Sequence, residues 1–127
     1  MLHHIEIYVS DLERSTEFWG WFLSKLNYKI YQKWDKGISW RLKDTYLVFV
    51  QAEADYLEAG YHRKRIGLNH LAFQAGSKEQ VDELSEEMKE KGITILYSET
   101  HPHAGGVGHY ALYFEDPDRI KVELVAP

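Results

Sequence analysis

Two histidines and a glutamate set the first chemical question. His4 and His70 stand 66 positions apart, and each opens a short alternating run, His4-Ile5-Glu6-Ile7 and His70-Leu71-Ala72-Phe73. Glu123 lies within Lys121-Val122-Glu123-Leu124-Val125, an apolar strand pattern that has no structural need of a carboxylate. Two neutral imidazoles and one carboxylate suit a divalent Ni, Zn, Mn, Fe or Co ion and leave positions open for substrate or water. Taken singly, each has a plain structural role: His4 near a terminus, His70 as a satisfied core histidine, Glu123 in an ion pair with Lys121 or Arg119. Their convergence on one face is what favours a metal site. Glu6, two residues from His4, is the candidate general base, with pairing to Lys121 as its structural alternative, and Tyr113 or His109 could orient or protonate a substrate.

These side chains need elements to hold them. His4 to Val9 alternates with period two, placing Ile5, Ile7 and Val9 under a helix and His4, Glu6 and Tyr8 on the opposite, concave side. Ser10-Asp11 caps a helix in which Leu12, Ser15, Trp19, Phe22, Leu23 and Leu26 recur at helical spacing. Strands are predicted over 28–34, 38–42 and 45–51, joined by turns at Asp35-Lys36-Gly37 and Lys43-Asp44. A polar connector over 52–66, with room for a short helical turn, leads to the same order again: a strand over 69–75, a helix capped by Ser77 and ended by Gly92, and strands over 93–97, 109–114 and 120–125. The expectation is an α+β domain of two βαβββ modules, about 1–51 and 67–127, whose sheets form a shared cleft. Parity sends His70, Ala72 and Gln74, then Lys121, Glu123 and Val125, then His109, Ala111 and Tyr113 to the concave side.

Composition narrows the function classes. The 127 residues include 15 Lys+Arg and 20 Asp+Glu, for a formal charge of −5, with 44% apolar residues. One domain of this size buries a sufficient core without disulfides. Net negative charge disfavours nucleic acid and anionic membranes as partners, and Arg63-Lys64-Arg65 is too short to reverse that. The absence of cysteine removes thiolate ligands and a thiol nucleophile and agrees with a reducing, cytoplasmic location. The start of the chain shows no secretion signal, and the longest apolar run, 46–50, is too short to span a bilayer. The glycines of 104–108, flanked by His101, His103 and His109, suit either a mobile lid or an ordinary surface loop.

Over nearly its whole length the sequence resembles the vicinal oxygen chelate superfamily, which includes glyoxalase I, fosfomycin-resistance proteins, bleomycin-resistance proteins and extradiol dioxygenases. The resemblance rests on His4-Ile5-Glu6-Ile7-Tyr8-Val9-Ser10-Asp11-Leu12, on Leu68-Asn69-His70-Leu71-Ala72-Phe73, and on Leu112-Tyr113-Phe114-Glu115-Asp116-Pro117-Asp118 followed by Lys121-Val122-Glu123-Leu124. It implies His4, His70 and Glu123 as metal ligands and a homodimer with sites built from paired modules. It departs from glyoxalase I where a fourth ligand, a glutamate, would stand in 46–51; only Gln51 could coordinate there. Tyr113, ten residues before Glu123, matches a dioxygenase pattern, whereas His103 lies too far from Leu112 and Arg119 replaces an expected glycine or proline.

The function expected first is a metal-dependent glyoxalase-like lyase or isomerase that chelates adjacent oxygens of a small substrate. Its competitors are a fosfomycin-resistance-like epoxide-opening enzyme, an extradiol-type dioxygenase, and a metal-free protein that sequesters a small apolar drug between Trp34, Trp40, Tyr8 and Tyr113.

Overall fold

The computed structural model describes residues 1–127, which divide into two compact units, Met1–Gly60 and Tyr61–Pro127. In the first unit the elements are β1 (His4–Val9), α1 (Leu12–Lys25), β2 (Lys29–Trp34), β3 (Gly37–Leu42) and β4 (Thr45–Gln51), followed by a 3-10 turn at Ala54–Tyr56. The four strands form one mixed sheet in the order β1-β4-β3-β2, with β1 parallel to β4 and the other pairs antiparallel. Asp11 begins α1 by accepting from the Arg14 N–H at 3.2 Å, which satisfies one of the unpaired donors of the first turn. The apolar stripe of α1, Trp19, Phe22 and Leu23, is fully buried, and the Trp19 ring stacks on Phe49 of β4 at 4.8 Å. Val9 is buried with this stripe, and His4, Glu6 and Tyr8 are exposed, as the period-two reading of β1 requires.

The second unit repeats the plan with β5 (Leu71–Gln74), α2 (Lys78–Lys91), β6 (Ile95–Leu96), β7 (Ala111–Glu115) and β8 (Lys121–Val125) in the sheet order β5-β8-β7-β6. Ser77 caps α2 by accepting from the Gln80 N–H at 3.1 Å, and Gly92 ends it at φ +72, the left-handed conformation that glycine adopts without steric cost. Val81, Leu84 and Met88 of α2 are buried, as are Leu112, Phe114, Val122 and Leu124 on one face of the sheet. The β7–β8 connection is held by Asp116, whose Oδ1 accepts from the N–H groups of Asp118 and Ile120 at 2.8 Å each. That tight turn fixes the register in which Tyr113 faces Glu123 and Glu115 faces Lys121.

The architecture is therefore α+β, two four-stranded mixed sheets each with one helix. The differences lie at the strand ends. β5 starts after His70, and β6 is only Ile95–Leu96 because Tyr97 turns out of the extended region at φ +56. No helix is long and apolar enough to cross a membrane.

Candidate functional site

Parallel pairing of β5 with β8 places Ala72 beside Glu123, and antiparallel pairing of β7 with β8 places Tyr113 on its other side. Residues in one such row share a sheet face. Ala72 beside Glu123 offers only a methyl group, so the carboxylate is approached by longer side chains from the segments around it. His70 Nε2 stands 3.0 Å from Glu123 Oε2, His109 Nε2 contacts Glu123 Oε1, and the Tyr113 phenol hydrogen-bonds the same carboxylate. Four of the six residues singled out from the sequence, His70, His109, Tyr113 and Glu123, thus meet in the second unit.

The donor geometry of the His70 pair is informative. His70 Nδ1 lies 2.7 Å from Asn69 Oδ1, to which its N–H can donate, and Nε2 and Glu123 Oε2, 3.0 Å apart, face one another as two atoms that need a proton or a cation between them. Orientation of a ligating imidazole by an acceptor on its other nitrogen is the usual arrangement around a bound metal. Two donors about 2.1 Å from one ion at a right angle stand about 3 Å apart, which is the His70–Glu123 separation. In donor type and spacing this pair fits a divalent ion; no three His, Asp or Glu side chains of the chain are grouped as one ligand set.

Burial, the largest single influence on Glu123, pushes its pKa up. Hydrogen bonds from His109 and Tyr113 and the nearby imidazoles outweigh it, and the net position is below the ordinary carboxylate value. Glu123 is therefore an anion at neutral pH. Tyr113 moves the other way: burial first, then the charge and hydrogen bond of Glu123, push its phenol up to about 12. It stays a proton donor throughout the physiological range. Because its value is raised above the 10.0 of an unperturbed tyrosine, its stabilising contribution is complete below about pH 10 and is lost as pH rises toward 12. Absorbance titration at the tyrosinate band should show one phenol ionising near pH 12 that disappears in Tyr113→Phe; ionisation of every phenol by pH 10.5 would contradict this.

The 97–110 segment closes on the same group. A Cβ built on Gly105 would meet the His109 ring and stand 2.8 Å from Tyr113 Oη, so this glycine is required for close approach of the loop backbone. Hydrogen bonds from His103 N to Thr100 O at 2.7 Å and from Ala111 N to Pro102 O at 2.9 Å give the loop its own internal order.

In the first unit His4 stacks on Tyr46 at 4.8 Å with nearly parallel planes, and its Nδ1 is 2.8 Å from His3 Nδ1. Glu6 is exposed on the same face and forms no ion pair within its own unit. Two residues weighed in the sequence have structural roles. Gln51 is committed to structure, its Oε1 accepting from Leu12 N and its Nε2 donating to Ser10 O, both at 2.9 Å; it ties β4 to the start of α1. Trp40 is no ligand wall: it is buried on the helix side, packed on Gly20 and edge-on to Phe49 at 5.7 Å, while Trp34 folds over Gly37 of its own hairpin beside α1.

Comparison with known proteins agrees with this architecture. The chain is 64% identical over 126 residues to the uncharacterized protein YqjT of Bacillus subtilis, covering 99% of this chain and 98% of that one. It is 28% identical over 127 residues to the glutathione transferase FosA of Serratia marcescens, covering 97% and 78%. A crystal structure from Bacillus halodurans, provisionally assigned as a glyoxalase, superposes with a TM-score of 0.98 at 57% identity, covering 100% of this chain and 96% of the other. The sequence profile of one family spans residues 1–124, and on that match the chain belongs to the glyoxalase/bleomycin resistance protein/dioxygenase superfamily.

Proposed function

We propose that the protein is a metal-dependent, glyoxalase-type enzyme of the lyase or isomerase kind that binds a small substrate through two adjacent oxygens, with His4, His70 and Glu123 as the ligands of one divalent ion. The observation that carries this reading is the His70 Nε2 to Glu123 Oε2 spacing of 3.0 Å, with Asn69 fixing the imidazole from behind. A divalent Ni, Zn, Mn, Fe or Co ion there would supply Lewis-acid polarisation of the bound oxygens.

The chain's own groups do the remaining work. Tyr113, protonated at neutral pH, offers a hydrogen bond where negative charge develops. His109 lies on the far oxygen of Glu123 and can pass a proton to or from a substrate held beside it. Glu6, exposed and without an ion pair in its own unit, is the proposed base. The likeness to a glutathione transferase favours one second reading on the same residues, attack of a thiol on an epoxide with Tyr113 stabilising the oxygen that leaves carbon. A homodimer is proposed with either reading.

The test begins with protein stripped by chelator and reloaded with each of the five metals. About one ion per chain, lost in His70→Ala, is the expected result; failure to take up any of them overturns the reading. Turnover of a 2-oxoaldehyde hemithioacetal against thiol addition to an epoxide then decides between the two reactions.

A further inference from the structure

Lys121 opens β8 two residues before Glu123, so both side chains leave the same sheet face, roughly 7 Å apart along the strand. Directly opposite Lys121 on β7 stands Glu115, the carboxylate with which a strand lysine would ordinarily pair. That carboxylate is already taken. Arg63 Nη1 holds Glu115 Oε1 at 2.8 Å, and Arg119 Nε reaches Oε2 at 3.6 Å.

Lys121 turns to aromatic rings instead. Its Nζ lies 4.9 Å from the centre of the Tyr97 ring and 5.2 Å from that of Tyr113, and it donates to Tyr97 Oη at 3.0 Å. It forms no ion pair. An ammonium has three donors, so two remain beside the one given to Tyr97. The Tyr97 oxygen accepts from Lys121, which leaves its own O–H free to donate. Tyr97 is 43% exposed and holds φ +56, a conformation that costs a bulky side chain energy and is retained where it aims a group. Donors of one kind are therefore left with no acceptor of the protein's own.

We infer that Lys121 and the Tyr97 hydroxyl form an anion subsite that binds a carboxylate or phosphorus oxyanion of the substrate, a short spacer away from the oxygens held at His70 and Glu123. This rests on the chelation reading and narrows its substrate to small anionic molecules. Lys121 would set specificity and orientation and take no part in bond making.

The test uses whole metal-free protein at low ionic strength, with inorganic phosphate and acetate as separate probes and tyrosine fluorescence or amide NMR shifts as the readout. Saturable binding is expected, weakened at least tenfold in Lys121→Met, kept within about threefold in Lys121→Arg, and weakened to a smaller degree in Tyr97→Phe. The probe that saturates at the lower concentration identifies the anion class. No saturable binding in the wild type, or equal binding in Lys121→Met, overturns the subsite. Lys121-dependent anion binding by a protein that takes up no metal leaves the subsite standing and removes chelation; metal uptake with anion binding indifferent to Lys121 does the reverse.

Discussion

Glu123→Gln is expected to weaken divalent-ion binding at least 100-fold while leaving the fold almost unchanged. Glutamine keeps the shape of the side chain and one carbonyl oxygen, and its amide can still hydrogen-bond His70 and His109, which approach the two oxygens from opposite sides. What it removes is the negative charge. Substitution of groups that merely orient a ligand costs about 10-fold to 100-fold in metal affinity, so loss of the anionic ligand itself should exceed that range. The wild-type carboxylate is held in its ionised form by His109 and Tyr113 despite burial, so no proton has to leave before an ion binds. Competition against a chromophoric chelator measures the dissociation constant, and thermal unfolding of the metal-free protein supplies the control. A change in affinity below tenfold would remove Glu123 from the ligand set.

The features legible in the sequence are those that follow from periodicity. Alternation in His4–Val9 assigns both faces of β1, and helical spacing from Leu12 to Leu26 identifies the stripe that α1 buries. The same parity puts Tyr113 and Glu123 in one row, and the structure registers them directly across β7 and β8. Parity stops being informative where strands stop. Tyr97 leaves the extended region one residue after β6, and its contact with Lys121 depends on that backbone turn, for which no spacing rule exists. Gly105 is likewise explained by approach to His109 and Tyr113 across a loop, although its sequence context suggested only a mobile lid or an ordinary surface loop.

Side chains with more than one use were also opaque. Gln51 has the right chemistry to be a weak ligand, yet its position at the end of β4 presents it to unpaired groups at the start of α1, and backbone demands win. Trp40 resembles a ligand platform by composition. Its register opposite Leu47, between Ile38 and Leu42 on the helix side, commits it to the core. In both cases the deciding fact is a cross-strand or strand-to-helix contact between residues distant in sequence.

That core carries the second large expected effect, at Phe49. Phe49 lies on β4, which is flanked by β1 and β3, and it is completely buried. Its ring stacks on Trp19 of α1 at 4.8 Å and receives the edge of Trp40 from β3 at 5.7 Å, so one side chain joins the helix to two strands. Phe49→Ala should cost about 3–5 kcal/mol, since rigid indoles on either side limit collapse into the vacated space. Against a total stability of roughly 5–15 kcal/mol, the midpoint of thermal unfolding should fall by about 10–20 °C. Phe49→Leu, which conserves more volume, should cost about 1.5 kcal/mol or less. A loss below about 1 kcal/mol in Phe49→Ala would mean that the aromatic cluster is not the tie between α1 and its sheet. The consequence reaches the site because β4 also carries Tyr46, on which His4 stacks, and pairs in register with β1 from His4 to Val9. Loosening Phe49 therefore loosens the strand that positions His4, and exchange of the β1 amides should accelerate together with the fall in stability.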